Sequence, residues 1–340
     1  MTPSYDIAVV GATGLVGETL LSLLAERNFP LGQVYALASE NSLGKEVELG
    51  RKTLDVEDLA TFDFAKVQLA FFAVDAELAA EYVPIATQAG CIVIDNSAQF
   101  RDEADVPLVI PEVNPEALAA YTHRNLIASP SSSTIQLALA LKPLLEIVKL
   151  TRIQVVVYEA ASGAGRQAVD ELAGQTASLL SGRPVESKVF AKQIAFNLLP
   201  QVDDLLETGH TEQELRLLKE TRKVLSEPDL PLSPTVIRVP VFFGSSATVY
   251  LETATKLSLT QVRSLLENAK GIELVDEKGD YPTPVVEAAN NDPVYVGRVR
   301  EDLIQANGLH VWLVVDNIRK GAALNSVQIA ELLIAQARLK

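Results

Sequence analysis

The sequence predicts an α/β protein: a Rossmann-type doubly wound parallel sheet joined to a second α+β domain that carries a mixed sheet. Three observations lead there. A strand, a glycine turn and a helix open the chain; short apolar runs then alternate with helical stretches; and beyond residue 132 longer, alternating strands take over. A length of 340 residues also exceeds the ~100 to 200 usual for one domain, which argues for two separate cores.

Residues 5–10 form an apolar run that ends at Gly11-Ala12-Thr13-Gly14-Leu15-Val16-Gly17, and Leu20, Leu21, Leu23 and Leu24 continue with helical spacing. Residues 33–38, 69–74, 91–94 and 125–128 read as further buried strands, with helical stretches such as 76–88 between them, so right-handed crossovers and a parallel sheet follow. A long helix over 132–148 leads into a valine-rich strand at 153–158. Residues 246–256 interleave Ala247, Val249, Leu251 and Ala254 with polar positions, the pattern of an antiparallel strand with one exposed face. Residues 319–340 have helical spacing and high helix propensity and are expected to pack back on the first domain. The expected division is therefore 1–131 with 319–340, and 132–318. No internal repeat is visible.

The chain is 48% hydrophobic and 21% charged, the balance of an ordinary globular protein. A net charge of -15 opposes binding to nucleic acid phosphates or anionic lipid surfaces. No apolar run approaches the roughly 20 residues of a bilayer span and the start reads directly into a strand, so a cytoplasmic protein is expected. One cysteine excludes an intrachain disulfide, and with three scattered histidines it builds no structural zinc site; a metal could be held only through carboxylates, and none is expected. Cys91 opens the apolar run Cys91-Ile92-Val93-Ile94 and reads as a buried strand residue.

Glycines at 11, 14 and 17 between a strand and a helix point to a dinucleotide pyrophosphate at a helix start, the alternative being a tight turn kept for packing only. After the second strand the chain reads Ala38-Ser39-Glu40-Asn41-Ser42. Glu40 would disfavour a 2'-phosphate, so on chemistry alone NAD suits the turn better than NADP, although a solvated loop glutamate explains it as well.

The runs Pro130-Ser131-Ser132-Ser133-Thr134-Ile135-Gln136, Ser162-Gly163-Ala164-Gly165 and Arg238-Val239-Pro240-Val241 resemble the bacterial aspartate-semialdehyde dehydrogenase family. Gln193-Ile194-Ala195-Phe196-Asn197, Tyr281-Pro282-Thr283-Pro284 and Asp316-Asn317-Ile318-Arg319-Lys320-Gly321-Ala322-Ala323 match it in the same order, so the likeness spans the chain. The resemblance implies an amino-terminal NADP-binding domain, a second domain holding the catalytic groups and most of a homodimer interface, and reductive dephosphorylation of β-aspartyl phosphate through a cysteine thioester. It carries nucleotide contacts to Gly11, Thr13, Gly14, Leu15, Val16, Gly17, Ser162, Gly163 and Asn317. Anion contacts fall to Arg101, Arg216 and Arg238, for a small carboxylate or phosphate; the alternative is that these arginines simply pair with Glu159 and other new acids.

Against that pattern the chain departs at its chemistry. The family's cysteine in Asn-Pro-Asn-Cys-Ser-Thr is Ser132, and its histidine in Gly-His-Ser is Ser245. A serine hydroxyl is far less acidic than a thiol of pKa about 8.5 and needs a committed base. Ser131 to Ser133 also read simply as helix N-cap residues. His123, His210 and His310 lie in no catalytic motif and read as surface or packing residues. The family glutamine after Tyr158 is Glu159, either a general base or a paired structural acid, and its helical Glu-x-x-Lys becomes Gln213 and Arg216. On the nucleotide side the family arginine becomes Asn41, and Ser-Ala-Gly-Gly-Ser becomes Ala73-Val74-Asp75-Ala76-Glu77, which weakens dinucleotide binding by bulk and charge. The expectation is a homodimer without the family reaction. An NAD(P) oxidoreductase or serine hydrolase of another mechanism, and a partner subunit of an active dehydrogenase, are the alternatives.

Overall fold

A computed structural model describes residues 4–336, 338 and 339; Met1 to Pro3, Ala337 and Lys340, which the expected first domain and terminal helix include, lie outside the described residues. The chain divides into two compact units, Met1–Ser131 with Ala322–Lys340, and Ser132–Gly321.

In the first unit β1 (Tyr5–Val10) enters the glycine turn and α1 (Leu15–Glu26), which returns the chain to β2 (Leu31–Ala38). There follow β3 (Glu46–Leu49), β4 (Lys52–Asp58), β5 (Leu69–Phe72), α2 (Ala76–Gln88), β6 (Ile92–Asp95) and β7 (Leu126–Ala128). The sheet order is β3-β4-β2-β1-β5-β6-β7, parallel except for the β3–β4 pair. The doubly wound parallel sheet is as expected. Strand order reverses between β1 and β5, and the crevice at the carboxyl ends of such strands is where open α/β sheets bind ligands. The β3–β4 hairpin was not anticipated. Its strands are charged and only Val47, Leu49 and Val56 are buried, the composition of a protected sheet edge rather than of a core strand.

In the second unit α3 (Ser132–Leu145) precedes β8 (Leu150–Glu159), α4 (Arg166–Leu180), α5 (Glu212–Leu225), β9 (Leu232–Arg238) and β10 (Ser245–Thr253). Then come α6 (Leu259–Glu267), β11 (Ile272–Leu274), β12 (Val294–Glu301) and β13 (Gly308–Val315). They form a mixed sheet, β11-β12-β13-β10-β8-β9, in which β10 is antiparallel to both neighbours and β8 runs parallel to β9. The alternation expected in β10 is present: Val249 and Leu251 are buried, while Thr248, Tyr250 and Glu252 are partly exposed. On the inner face Leu141 and Leu144 of α3 and Leu266 of α6 meet Val249, Leu251, Val311 and Leu313. The opposite face holds a cavity of about 510 Å³ lined by Tyr158, Trp312, Arg298 and Arg300 among others.

The chain then returns to the first unit. A wide helical turn, Arg319–Leu324, runs into α7 (Asn325–Ala335), whose Val327, Ile329, Ala330 and Leu333 are fully buried in the cluster around Leu20, Leu24 and Val9. At roughly 1.5–3 kcal/mol for a buried Val, Leu or Ile, this one helix holds a large share of that core. Among the described residues no helix is long and apolar enough to cross a membrane, and no group of three or more His, Cys, Asp or Glu is placed to hold a metal ion.

Candidate functional site

Two places collect the residues singled out above, one in each unit. In the first, Gly11 has φ +83° and its N–H donates to Leu37 O at 2.8 Å, so the chain turns sharply at the end of β1. A Cβ on Gly11 would lie 2.3 Å from Ala73 O, and one on Gly17 would lie 2.2 Å from Gly11 O. Both positions therefore demand glycine for packing, whatever else the turn does. Gly14 is the N-cap of α1 and offers no side chain, which leaves the first-turn N–H groups of Leu15, Val16 and Gly17 without a side-chain acceptor. Such a helix start suits an anion.

Beside the turn, Thr13 Oγ1 and Ser42 Oγ are 3.3 Å apart, and Lys45 Nζ donates to Ser42 Oγ at 3.4 Å. Lys45 is a cation that reading the sequence missed; its only signal is a lysine seven residues beyond the second strand. Glu40 and Asn41 are exposed. Asp75 is the N-cap of α2 and accepts from Leu78 N at 2.9 Å, so its carboxylate occupies the helix start at the end of β5. Arg101 Nη2 donates to Asn96 O at 2.6 Å. Asp95 nearby accepts from the Ser97 hydroxyl at 2.6 Å, and burial raises its carboxyl above the ordinary range despite that bond and the Arg101 charge.

In the second unit a carboxylate is the hub. Glu159, at the end of β8, is buried, and its Oε1 accepts from Ser133 Oγ at 2.9 Å and from Gln213 Nε2 at 2.8 Å. Its Oε2 pairs with Arg238 Nη1 at 3.1 Å, with side-chain exposures of only 10% and 7%. The same Nη1 donates to Ala160 O at 2.8 Å. Gly163 makes room for this pair, since a Cβ there would lie 2.7 Å from Arg238 Nη1. Gln213 also accepts from Arg216 Nε and Nη2 at 3.3 Å, and Arg216 pairs with Asp203 and, at 3.4 Å, with Glu212. Hydrogen bonds thus connect Ser133, Glu159, Arg238, Gln213 and Arg216. The first turn of α5 holds Gln213 in place through a capping box between Thr211 and Glu214.

The N-cap reading of Ser131 to Ser133 does not hold for the last two. Ser132 and Ser133 lie within α3; Ser133 donates to Glu159, and Ser132 Oγ is buried against Gly321 with no hydrogen-bond partner among the described residues, so neither of these two hydroxyls caps the helix, while Ser131 stands directly before it. Ser245 Oγ has Ala160 N at 3.5 Å, the limit of a hydrogen bond. Ser162 Oγ accepts from Asn317 Nδ2 at 3.0 Å, and Asn317 Oδ1 accepts from Gly244 N at 2.9 Å. Cys91 is buried beside β6, and burial pushes its thiol up to about 12. His310 meets Asp302 at 2.9 Å, His210 is exposed beside Thr208 at 3.3 Å, and His123 is exposed at the end of the helical run Pro115–His123.

Residues 6–121 match the semialdehyde dehydrogenase NAD binding domain and residues 141–320 the semialdehyde dehydrogenase dimerisation domain. An aspartate-semialdehyde dehydrogenase of Shewanella violacea is 48% identical over 98% of this chain and 99% of its own. The chain belongs to the aspartate-semialdehyde dehydrogenase family. A solved structure of aspartate semialdehyde dehydrogenase II from Vibrio cholerae, complexed with ASA, has 47% identity and a TM-score of 0.96, covering 98% of this chain and 99% of that one. The structure of a probable aspartate-semialdehyde dehydrogenase from Pseudomonas aeruginosa follows at 43% identity and TM-score 0.94, covering 98% and 100%. The family resemblance read from motifs is therefore shown, and with it the Rossmann-type first unit and the mixed-sheet second unit.

Proposed function

We propose that this member of the aspartate-semialdehyde dehydrogenase family does not carry out phosphate-dependent reduction and instead serves as a nucleotide-binding or anion-binding homodimer. The observation that carries this reading is that serine stands at both 132 and 245, the positions where the resemblance puts nucleophile and base. Ser132 Oγ has no acceptor among the described residues to take its proton, and Ser245 is a second hydroxyl, not an imidazole. Cys91 offers no substitute, since a thiol pushed up to about 12 holds almost no thiolate at neutral pH.

Nucleotide contact falls to Gly11, Thr13 and Gly14 with the first turn of α1. The uncapped helix start suits a pyrophosphate, and Lys45 near Ser42 favours an anionic group at the ribose end, which tips the choice from NAD toward NADP. Asp75 and the neighbouring Glu77 act against tight binding. Dimerisation falls to residues 132–318, through the sheet face that carries Tyr158, Thr248 and Trp312. A serine hydrolase reading now centres on Ser133, the hydroxyl that reaches a carboxylate, yet Glu159 is also committed to Gln213 and Arg238. A partner subunit of an active dehydrogenase would use the same sheet face.

Calorimetric titration with NADP, NADPH, NAD and NADH, run beside the phosphate-dependent assay, tests the proposal. Binding without turnover is expected. Reduction of NADP with aspartate semialdehyde and phosphate, abolished by Ser132→Ala, would overturn it.

A further inference from the structure

The carboxylate of Glu159 is buried and held by donors on both of its oxygens. Its Oε2 lies 3.1 Å from Arg238 Nη1, the distance at which a guanidinium holds a bound carboxylate or phosphate oxygen. Its Oε1 takes the two neutral donors that converge on the same spot, Ser133 Oγ and Gln213 Nε2. Three donors from α3, α5 and β9 therefore converge on one carboxyl group that the chain itself supplies. A Cβ on Gly163 would lie 2.7 Å from Nη1, so the missing side chain at 163 is what lets the guanidinium reach Glu159. Every described hydrogen bond of the Arg238 side chain runs through Nη1, which leaves the fork free to hold a second oxygen once the first is removed.

We infer that Glu159 is an intramolecular stand-in for a small anion: it occupies the position on Arg238 that a free carboxylate or phosphate oxygen would take and so excludes both. This inference rests on the reading of the second unit as a retired site. A second anion entering beside Oε2 would meet a like charge in a poorly solvated place, and Arg238 has one positive charge to share between them. An amide at position 159 reverses the balance. Its oxygen still accepts from Ser133 and Gln213, while its NH₂ turns toward Arg238, so two donor groups face each other across a gap that an anion bridges. Ligand selectivity at this place is then set by a single oxygen-for-nitrogen exchange.

The experiment compares the full-length wild-type protein with Glu159→Gln and Glu159→Ala, each titrated with inorganic phosphate and with succinate by calorimetry. Both variants are expected to bind at least one probe about tenfold or more tightly than wild type, and adding Arg238→Ala to either is expected to remove the gain. Folded variants, judged by circular dichroism, that gain no affinity would overturn the inference. So would saturable phosphate or succinate binding by the wild type that Arg238→Ala abolishes, a result that requires no Glu159 variant to fold. Turnover of aspartate semialdehyde by wild type is read in a separate assay; it would overturn the proposed function and leave the affinity comparison to judge the role of Glu159.

Discussion

Replacing Arg238 with methionine keeps much of the side-chain volume and removes the charge that pairs with Glu159 Oε2. At 3.1 Å and an effective dielectric of about 20 the lost attraction is on the order of 5 kcal/mol. Ser133 and Gln213 still donate to Oε1, which softens the loss, so the penalty should fall near the lower end of the ~3 to 5 kcal/mol typical of a broken buried pair. For a unit of this size that corresponds to a fall in Tm of about 6 to 12 °C. Urea unfolding followed by circular dichroism measures it directly. The double variant Arg238→Met with Glu159→Gln removes both charges together and should return to within about 1 kcal/mol of wild type, because neither is left buried alone. A single variant that loses less than about 1 kcal/mol, or two single penalties that simply add, would refute the argument that these side chains form one unit.

Further outcomes follow from other parts of the molecule. Leu333→Ala empties a fully buried position of α7 and should cost about 2 to 5 kcal/mol, read by chemical denaturation. Gly11→Ala forces a Cβ onto Ala73 O at a left-handed position and should cost about 1 to 3 kcal/mol in stability while weakening any dinucleotide binding. Cys91 should resist a disulfide reagent in the folded protein at pH 8 and react stoichiometrically in denaturant, since burial alone raises its thiol. Asp302 is held down to about 2 by the N–H groups of Gln305 and Ile304 and by His310. A depressed carboxyl contributes stability above its unfolded value, and that contribution is lost as pH falls from about 4 toward 2; Asp302→Asn should flatten this stretch of the stability curve.

The fold was legible wherever burial imposed a pattern. Residues 5–10 and 76–88 are apolar, periodic and bounded by turn chemistry, and they form β1 and α2 as read. The β3–β4 hairpin was not legible, because its strands lie at the sheet edge with most side chains in water, and a half-solvated strand of Glu, Lys and Asp resembles a loop. At the candidate site the departures could be read directly from residue identity, but the partners could not. Ser132 and Ser133 are adjacent and alike in sequence, yet one hydroxyl packs on Gly321 and the other reaches a carboxylate on β8, a difference set by helix rotation and tertiary contact. Lys45 was missed for a similar reason: its link to Thr13 runs through Ser42, whose orientation no local pattern predicts.

The position of α7 bears on how the chain is made. The first unit takes its last core helix from residues 325–335, so a ribosome that has released residues 1–131 has not yet supplied Val327, Ile329 or Leu333. Residues 132–321 are contiguous and emerge earlier than that helix. The usual amino-terminal-first order of domain completion is therefore inverted, with the inserted unit able to close before the unit that flanks it. A fragment ending at residue 131 would expose the apolar groove that α7 fills, and adding residues 322–340 as a separate peptide is the natural way to complete it.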